Sequence, residues 1–227
     1  ETMNQGIDEA KQGLTIIQQV QDILPDVKNL ENQASDLANQ TKSGASQLKD
    51  AIPSITNSVD VTLKSIGQVA TTTGSLIDTV RTAIEDGKLT DDEKKNISNV
   101  LNGFIDGISQ QQNAIDKLVE FLTKLQTSAG NTKLQPIIDQ LNQLKPLLSN
   151  LQNRLSALNT AVQNEDTKAI DELLDQIEAV VNNINGIIAG INTGQISSTV
   201  TSLLDQVIDT IGTAQGALSK ADQIDFD

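Results

Sequence analysis

The sequence predicts an all-α fold, an elongated antiparallel helical bundle or coiled-coil stalk with a three- or four-helix head. Three observations predict it. Apolar residues recur in steps of three and four along nearly the whole chain, which lines one face of a helix. Those residues are almost all Leu, Ile, Val and Ala, with aromatics at 1% and neither Trp nor Tyr. Such a palette suits thin seams of interdigitating aliphatic side chains better than a thick core filled by rings. No segment sustains the alternation of a half-buried strand.

The first stripe runs through Ile7, Ala10, Leu14, Ile17, Leu24, Val27, Leu30, Ala34, Leu37, Ala45 and Leu48. It continues through Ile55, Val59, Leu63, Ile66, Ala70, Thr73, Ile77, Val80 and Ile84. Pro25 and Pro53 are expected to kink or briefly break it, because proline lacks the amide that an interior turn needs. A continuous rod over residues 3–86 would measure about 125 Å. Gly87 ends this stripe, and Thr90-Asp91-Asp92-Glu93 reads as a capping box opening the next helix, with carboxylates suited to the helix N-terminus.

A second helix carries the heptad Ile97, Leu101, Phe104, Ile108, Gln111, Ile115, Leu118, Leu122, Leu125, with Gln111 expected to fix register at some cost in stability. After Ala129-Gly130-Asn131, a third seam runs Leu134, Ile137, Leu141, Leu144, Leu148, Leu151, Leu155, Leu158, Val162. Pro136 fits a first turn and Pro146 is expected to bend the middle. The turn Gln163-Asn164-Glu165-Asp166 leads to a fourth seam of Ile170, Leu173, Ile177, Val181, Ile184, Ile188 and Ile191. Asn192-Thr193-Gly194 then interrupts the pattern before Val200, Leu204, Val207, Ile211, Ala214, Leu218 and Ala221. Short turns make neighbours antiparallel. The expected division is a coiled-coil stalk of residues 1–53 and 195–227 and a helical-bundle head of residues 54–194.

Charge and composition narrow the function. The net charge of −14 argues against nucleic acid, which requires clustered Lys and Arg, and against docking on anionic lipid. With no Cys there is no disulfide, thiolate nucleophile or cysteine metal site. With no His, Cys or Tyr, the common general bases and nucleophile pairs are missing, and no enzyme is expected. The longest uncharged run, Ala179 to Leu204, is too rich in Asn to span a bilayer. Charged residues make up only 20%, and Gln, Asn, Ser and Thr dominate the polar positions, as on wall-associated and secreted bacterial proteins. The chain begins within a turn of its first heptad and reads as a domain excised from a longer protein.

Few clusters could carry chemistry. Asp171, Glu172, Asp175 and Glu178 fall on the polar side of the fourth helix and read as a solvated acidic face. Asp86 to Glu93 imitates the second half of an EF-hand loop. The first and third ligand positions would be Thr82 and Ile84, so a turn and cap is the better reading. Three Gly-x-x-x-Gly pairs, Gly103/Gly107, Gly186/Gly190 and Gly212/Gly216, sit in polar surroundings and point to close helix packing or local pliancy. No cofactor or metal is expected.

The run Gln5-Gly6-Ile7-Asp8-Glu9-Ala10, then Ile23-Leu24-Pro25, then Ser43-Gly44-Ala45-Ser46-Gln47-Leu48-Lys49-Asp50, set among long Gln/Asn/Ser helices, resembles the extracellular region of the phage infection protein (Pip/YhgE) family of Gram-positive bacteria. The resemblance covers essentially the whole chain. It implies a domain on the outer face of the bacterial cell membrane, anchored through flanking spans, and a phage receptor that binds a tail or receptor-binding protein. It supplies no motif-defined contact residues. Related ectodomains imply, alternatively, a membrane subunit of a type VII secretion system or exporter. From the layout alone the candidate contacts are the distal turns: Asp86, Gly87, Lys88, Leu89, Thr90, Asp91 and Asp92, with Gln163, Asn164, Glu165, Asp166 and Thr167. Two rival classes are a secreted helical lipid-binding wall protein and a structural spacer that self-associates, for instance as a homodimer.

Overall fold

The computed structural model describes residues 48–85, 89–130 and 132–222, together with positions 7, 8, 10, 11, 14, 19, 20, 22–26 and 29; side chains are described as far as Thr210, apart from Ser128. The protein is all-α, a bundle of helices packed on one another, with no strand among the described residues. Five helices have defined bounds: α1 Ile52–Glu85, α2 Asp91–Ala129, α3 Gln135–Gln163, α4 Thr167–Ala189 and α5 Thr193–Asp222.

Helix ends follow the chemistry of their residues. Leu48 to Asp50 are helical, Ala51 turns with its amide on the Leu48 carbonyl at 3.0 Å, and α1 starts with Pro53 in its first turn. That break, where proline's fixed φ and absent N–H cost least, interrupts the rod expected over 3–86. The α2 capping box is reciprocal: the Thr90 amide donates to Glu93 Oε1 at 3.0 Å and the Glu93 amide to Thr90 Oγ1 at 3.1 Å. After α2, Gly130 takes φ 70°, a left-handed conformation that glycine adopts without a Cβ clash. Asn192 caps α5 by accepting the Gln195 amide at 3.1 Å. Helix α3 continues through Pro146, whose side chain faces solvent, so only the Asn142 carbonyl forgoes its helical donor.

The described residues fall into two compact units. Unit 1 comprises 1–23, 61–116 and 140–191, and unit 2 comprises 24–60, 117–139 and 192–227. These bounds differ from a division at 53/54 and 194/195. Within unit 1, side-chain contacts link the parts of α1 to α4 in a closed ring. Gln111 of α2 donates to Ser65 Oγ of α1 at 2.9 Å. Gln152 of α3 donates to the Ile105 carbonyl and Ser109 Oγ of α2 at 2.8 and 2.7 Å. Arg154 of α3 meets Gln176 of α4, and Arg81 of α1 pairs with Asp175 of α4. Each helix therefore has two neighbours, the arrangement of an up-down-up-down four-helix bundle. Leu14 packs beside Gly103, where an added Cβ would come within 2.8 Å of its methyl carbon.

The core matches the predicted seams closely on α2 and α3, where every seam residue from Ile97 to Leu125 and from Leu134 to Val162 is buried. On α4 the buried set is Ile170, Leu174, Ile177, Val180, Val181 and Ile184; Leu174, not Leu173, takes the core position, and Ile188 is only half-buried. Helix α1 is buried across a wider face than one stripe, adding Ser58, Thr62, Ser65, Val69, Thr72, Leu76 and Thr79 to the predicted positions, while Ile84 is half-buried. In unit 2 the described core includes Leu48, Ile55, Phe121, Leu134, Ile196 and Leu204.

Candidate partner-contact surface

The two turns named as candidate contacts both lie in unit 1. Asp86, Gly87 and Lys88 are outside the described residues. Leu89 is buried at 7% exposure and belongs to the core, so it offers nothing to a partner. Thr90, Asp91 and Asp92 are exposed, as are Gln163, Asn164, Glu165, Asp166 and Thr167.

The turn between α3 and α4 is built tightly. The Asp166 amide donates to the Ala161 carbonyl at 3.0 Å, and the Glu165 amide to the Val162 carbonyl at 3.1 Å. This pair of bonds is a Schellman motif, which needs a left-handed residue at its fifth position. Here that residue is Glu165, at φ 52°, and not the usual glycine. A side chain in that region is disfavoured by roughly 1–2 kcal/mol. Asp166 then serves the next helix, accepting the Ala169 amide at 3.1 Å as the N-cap of α4.

The structure brings the second turn against the first turn of α2. Gln163 Nε2 donates to the Lys94 carbonyl at 3.1 Å, and Lys94 Nζ lies 3.5 Å from Glu165 Oε1. The Lys94 side chain is only 18% exposed, so its methylene stem lies along the protein while its ammonium reaches the strained residue. Sequence reasoning missed Lys94, because nothing in its local spacing marks a cation that will meet a residue far along the chain. The exposed carboxylates of this end are Asp91, Asp92, Glu165 and Asp166, beside the Gln163 and Asn164 amides, the Thr90 and Thr167 hydroxyls and the exposed ammoniums of Lys95 and Lys168. With four carboxylates against two exposed ammoniums the set carries more negative than positive charge and is well supplied with acceptors.

Other clusters resolve into structure. Asp171, Glu172, Asp175 and Glu178 are all exposed, and Arg81 draws the last two together, with Glu178 at 3.7 Å. Among the described residues no group of three or more carboxylates could hold a metal ion. Thr90 and Glu93, counted in the EF-hand imitation, are committed to each other in the cap. Gly186 has open space where a Cβ would stand, so close packing does not require it; Gly212 and Gly216 lie beyond the described side chains. An open depression on α5 is lined by Ser197, Ser198, Thr201, Ser202, Asp205 and Gln206, a hydroxyl-rich surface unlike an apolar lipid channel. Among the described residues no helix is long and apolar enough to cross a membrane.

The fold defines the class: an all-α bundle of antiparallel helices whose exposed polar ends are joined by side-chain bridges. No protein-family model matches the chain, and no curated protein or solved structure matches it.

Proposed function

We propose that this chain is a non-enzymatic extracellular domain of a Gram-positive cell-surface membrane protein, and that a phage receptor-binding protein engages its paired turns. One observation carries the choice of surface: two turns distant in sequence are bridged through Lys94, Gln163 and Glu165, which presents a fixed set of exposed acceptors. A surface ordered before binding loses little conformational entropy when a partner docks. The phage partner and the cell-surface setting rest on the family resemblance. The acidic, acceptor-rich end suits a partner face rich in Lys, Arg and amide donors.

Adsorption competition tests this reading. The purified chain, mixed with phage that infect the source strain, is expected to slow their adsorption. Asp91→Lys combined with Asp92→Lys is expected to abolish the competition while the helical circular dichroism stays unchanged. If the unaltered chain slows no such phage, the receptor reading falls. A thermal midpoint that rises on adding fatty acids would favour the lipid-binding alternative instead.

A further inference from the structure

Glycine follows asparagine at two places in the sequence, Asn102-Gly103 and Asn185-Gly186. In such a pair no side chain shields the glycine nitrogen from the asparagine side-chain carbon, so the two can react. Both asparagines are exposed, and both stand in helices. A helix holds the glycine amide on the carbonyl four residues back and keeps it away from that carbon. Reaction therefore waits on local unwinding, and the two helices differ in what unwinding exposes.

Asn102 lies in the interior of α2. Leu101 and Phe104 beside it are fully buried, and Gly103 sits against Leu14, where an added Cβ would come within 2.8 Å of a methyl carbon. Unwinding there would bring core side chains into water. Asn185 lies in the last turns of α4, where Asn182, Asn183, Gly186 and Ala189 are also exposed and Ile187 and Ile188 are only half-buried. The last fully buried residue of this helix is Ile184. Asn and Gly rank low as helix formers, and a Cβ on Gly186 would meet nothing within 4 Å, so packing does not hold this stretch. The end closes without a left-handed cap: Gly190 keeps φ −83° and ψ −8°, with its amide shared between the Ile187 and Ile188 carbonyls. Gln140 Nε2 ties the Gly190 carbonyl from α3 at 3.1 Å. A helix end with few buried apolar contacts opens at small cost, whereas a core turn opens only with much of the fold.

We propose that Asn185 is a site of spontaneous modification, at which the chain converts itself to aspartate and isoaspartate while Asn102 persists. When the last turns of α4 open, the Gly186 backbone nitrogen gives its proton to hydroxide and attacks the Asn185 side-chain carbon. The new N–C bond closes a succinimide ring as the bond to the side-chain nitrogen breaks, and that nitrogen leaves as ammonia. Water then opens the ring at either imide bond, giving aspartate or isoaspartate with no oxidant or reductant. From Ala179 to Ala189 the helix carries no charged residue, so the product places a lone carboxylate on a neutral face. Isoaspartate also lengthens the backbone by one carbon, which the helix cannot absorb in register. The reaction does not depend on what the paired turns bind.

Peptide mapping by mass spectrometry tests this on the intact chain, incubated in mildly alkaline buffer well below its thermal midpoint. A free peptide covering residues 181–189 supplies the rate without a fold. The mass change of amide to acid is expected at Asn185, more slowly than in the peptide, and faster than at Asn102 by about tenfold or more. Gly186→Ala fills open space with a better helix former, and is expected to raise the thermal midpoint and suppress the change. Three results would each overturn the proposal. They are conversion at Asn102 that keeps pace with Asn185, an Asn185 unchanged once the peptide has fully converted, and a rate that Gly186→Ala leaves as it was.

Discussion

Helices α1 and α3 are both buried in unit 1, yet they are buried by different means. Every buried position of α3 from Leu141 to Val162 is aliphatic, whereas α1 interleaves Thr62, Ser65, Thr72, Thr73 and Thr79 among its Val, Leu and Ile. Leucines on α3 contribute apolar area removed from water, roughly 25 cal/mol for each Å². The α1 hydroxyls contribute little of this and must be hydrogen-bonded. Thr72 and Thr79 satisfy that need inside the helix, through carbonyls four residues back, a bond available at any helical Ser or Thr. Thr73 does not; its hydroxyl is buried at 1% exposure with no partner. The contrast separates two jobs within one bundle. Helix α3 supplies cohesion, while α1 gives up some of it to small polar side chains that are satisfied largely within their own helix.

The largest expected effect lies on the cohesive side. Leu151→Ala, at a fully buried α3 position, should destabilise folding by about 2–5 kcal/mol in chemical denaturation. A loss below 1 kcal/mol would mean that the α3 seam collapses around the cavity and that the contrast with α1 is overdrawn. The next effect has the opposite sign. Thr73→Val keeps a β-branched side chain of similar shape and removes the orphaned hydroxyl, so it should stabilise the fold by about 1 kcal/mol. A destabilisation would show that Thr73 is satisfied in solution and that α1 gives up less than the contrast supposes.

The smallest effect belongs to unit 2, where Lys49 reaches Asp205 at 2.6 Å on an open surface. The hydrogen bond that Lys49 Nζ donates to Asp205, then the charge of Asp205, raises the Lys49 ammonium above the usual lysine range, with Asp50 and Asp209 adding to the field. A raised folded pKa contributes stability that is present in full below the unfolded value, about 10.4, and is lost as pH climbs through the folded one. Lys49→Met should therefore barely move the thermal midpoint at pH 7, since exposed pairs contribute little. It should remove part of the decline in stability above about pH 10.5. Identical alkaline profiles for the variant and the parent would show that the pair is not formed in solution.

What was legible in the sequence follows the same division. The α2 and α3 seams could be read residue by residue, because Leu and Ile at heptad spacing have one economical explanation. The reciprocal cap of Thr90 and Glu93 was legible because both partners are local. The width of the α1 buried face was not, since Ser58, Ser65, Thr72 and Thr79 look like solvent-facing positions until a second neighbour covers them. Helix α4 shows a finer ambiguity: Leu173 and Leu174 are adjacent and equally apolar, and only the packed neighbours decide which turns inward. At the candidate surface, the exposure of Asn164 to Thr167 could be anticipated from composition. The bridge through Lys94 could not, because it joins residues whose proximity is a property of the whole bundle.

The turn at Glu165 limits how this end of the protein can vary in length. Asp166 closes α3 through its amide and opens α4 through its carboxylate, with one residue in the left-handed region before it. There is no spare residue in the joint. An insertion would separate the two duties of Asp166 and leave helix ends without their bonds. Many recognition surfaces diversify by lengthening loops, which folded domains tolerate cheaply. If this end is the proposed contact surface, it would diversify by substitution at fixed length, at Asn164 and Glu165 on one side and at Asp91 and Asp92 on the other. Related chains under pressure to change partner would then keep the spacing from Gln163 to Thr167 and alter the residues within it.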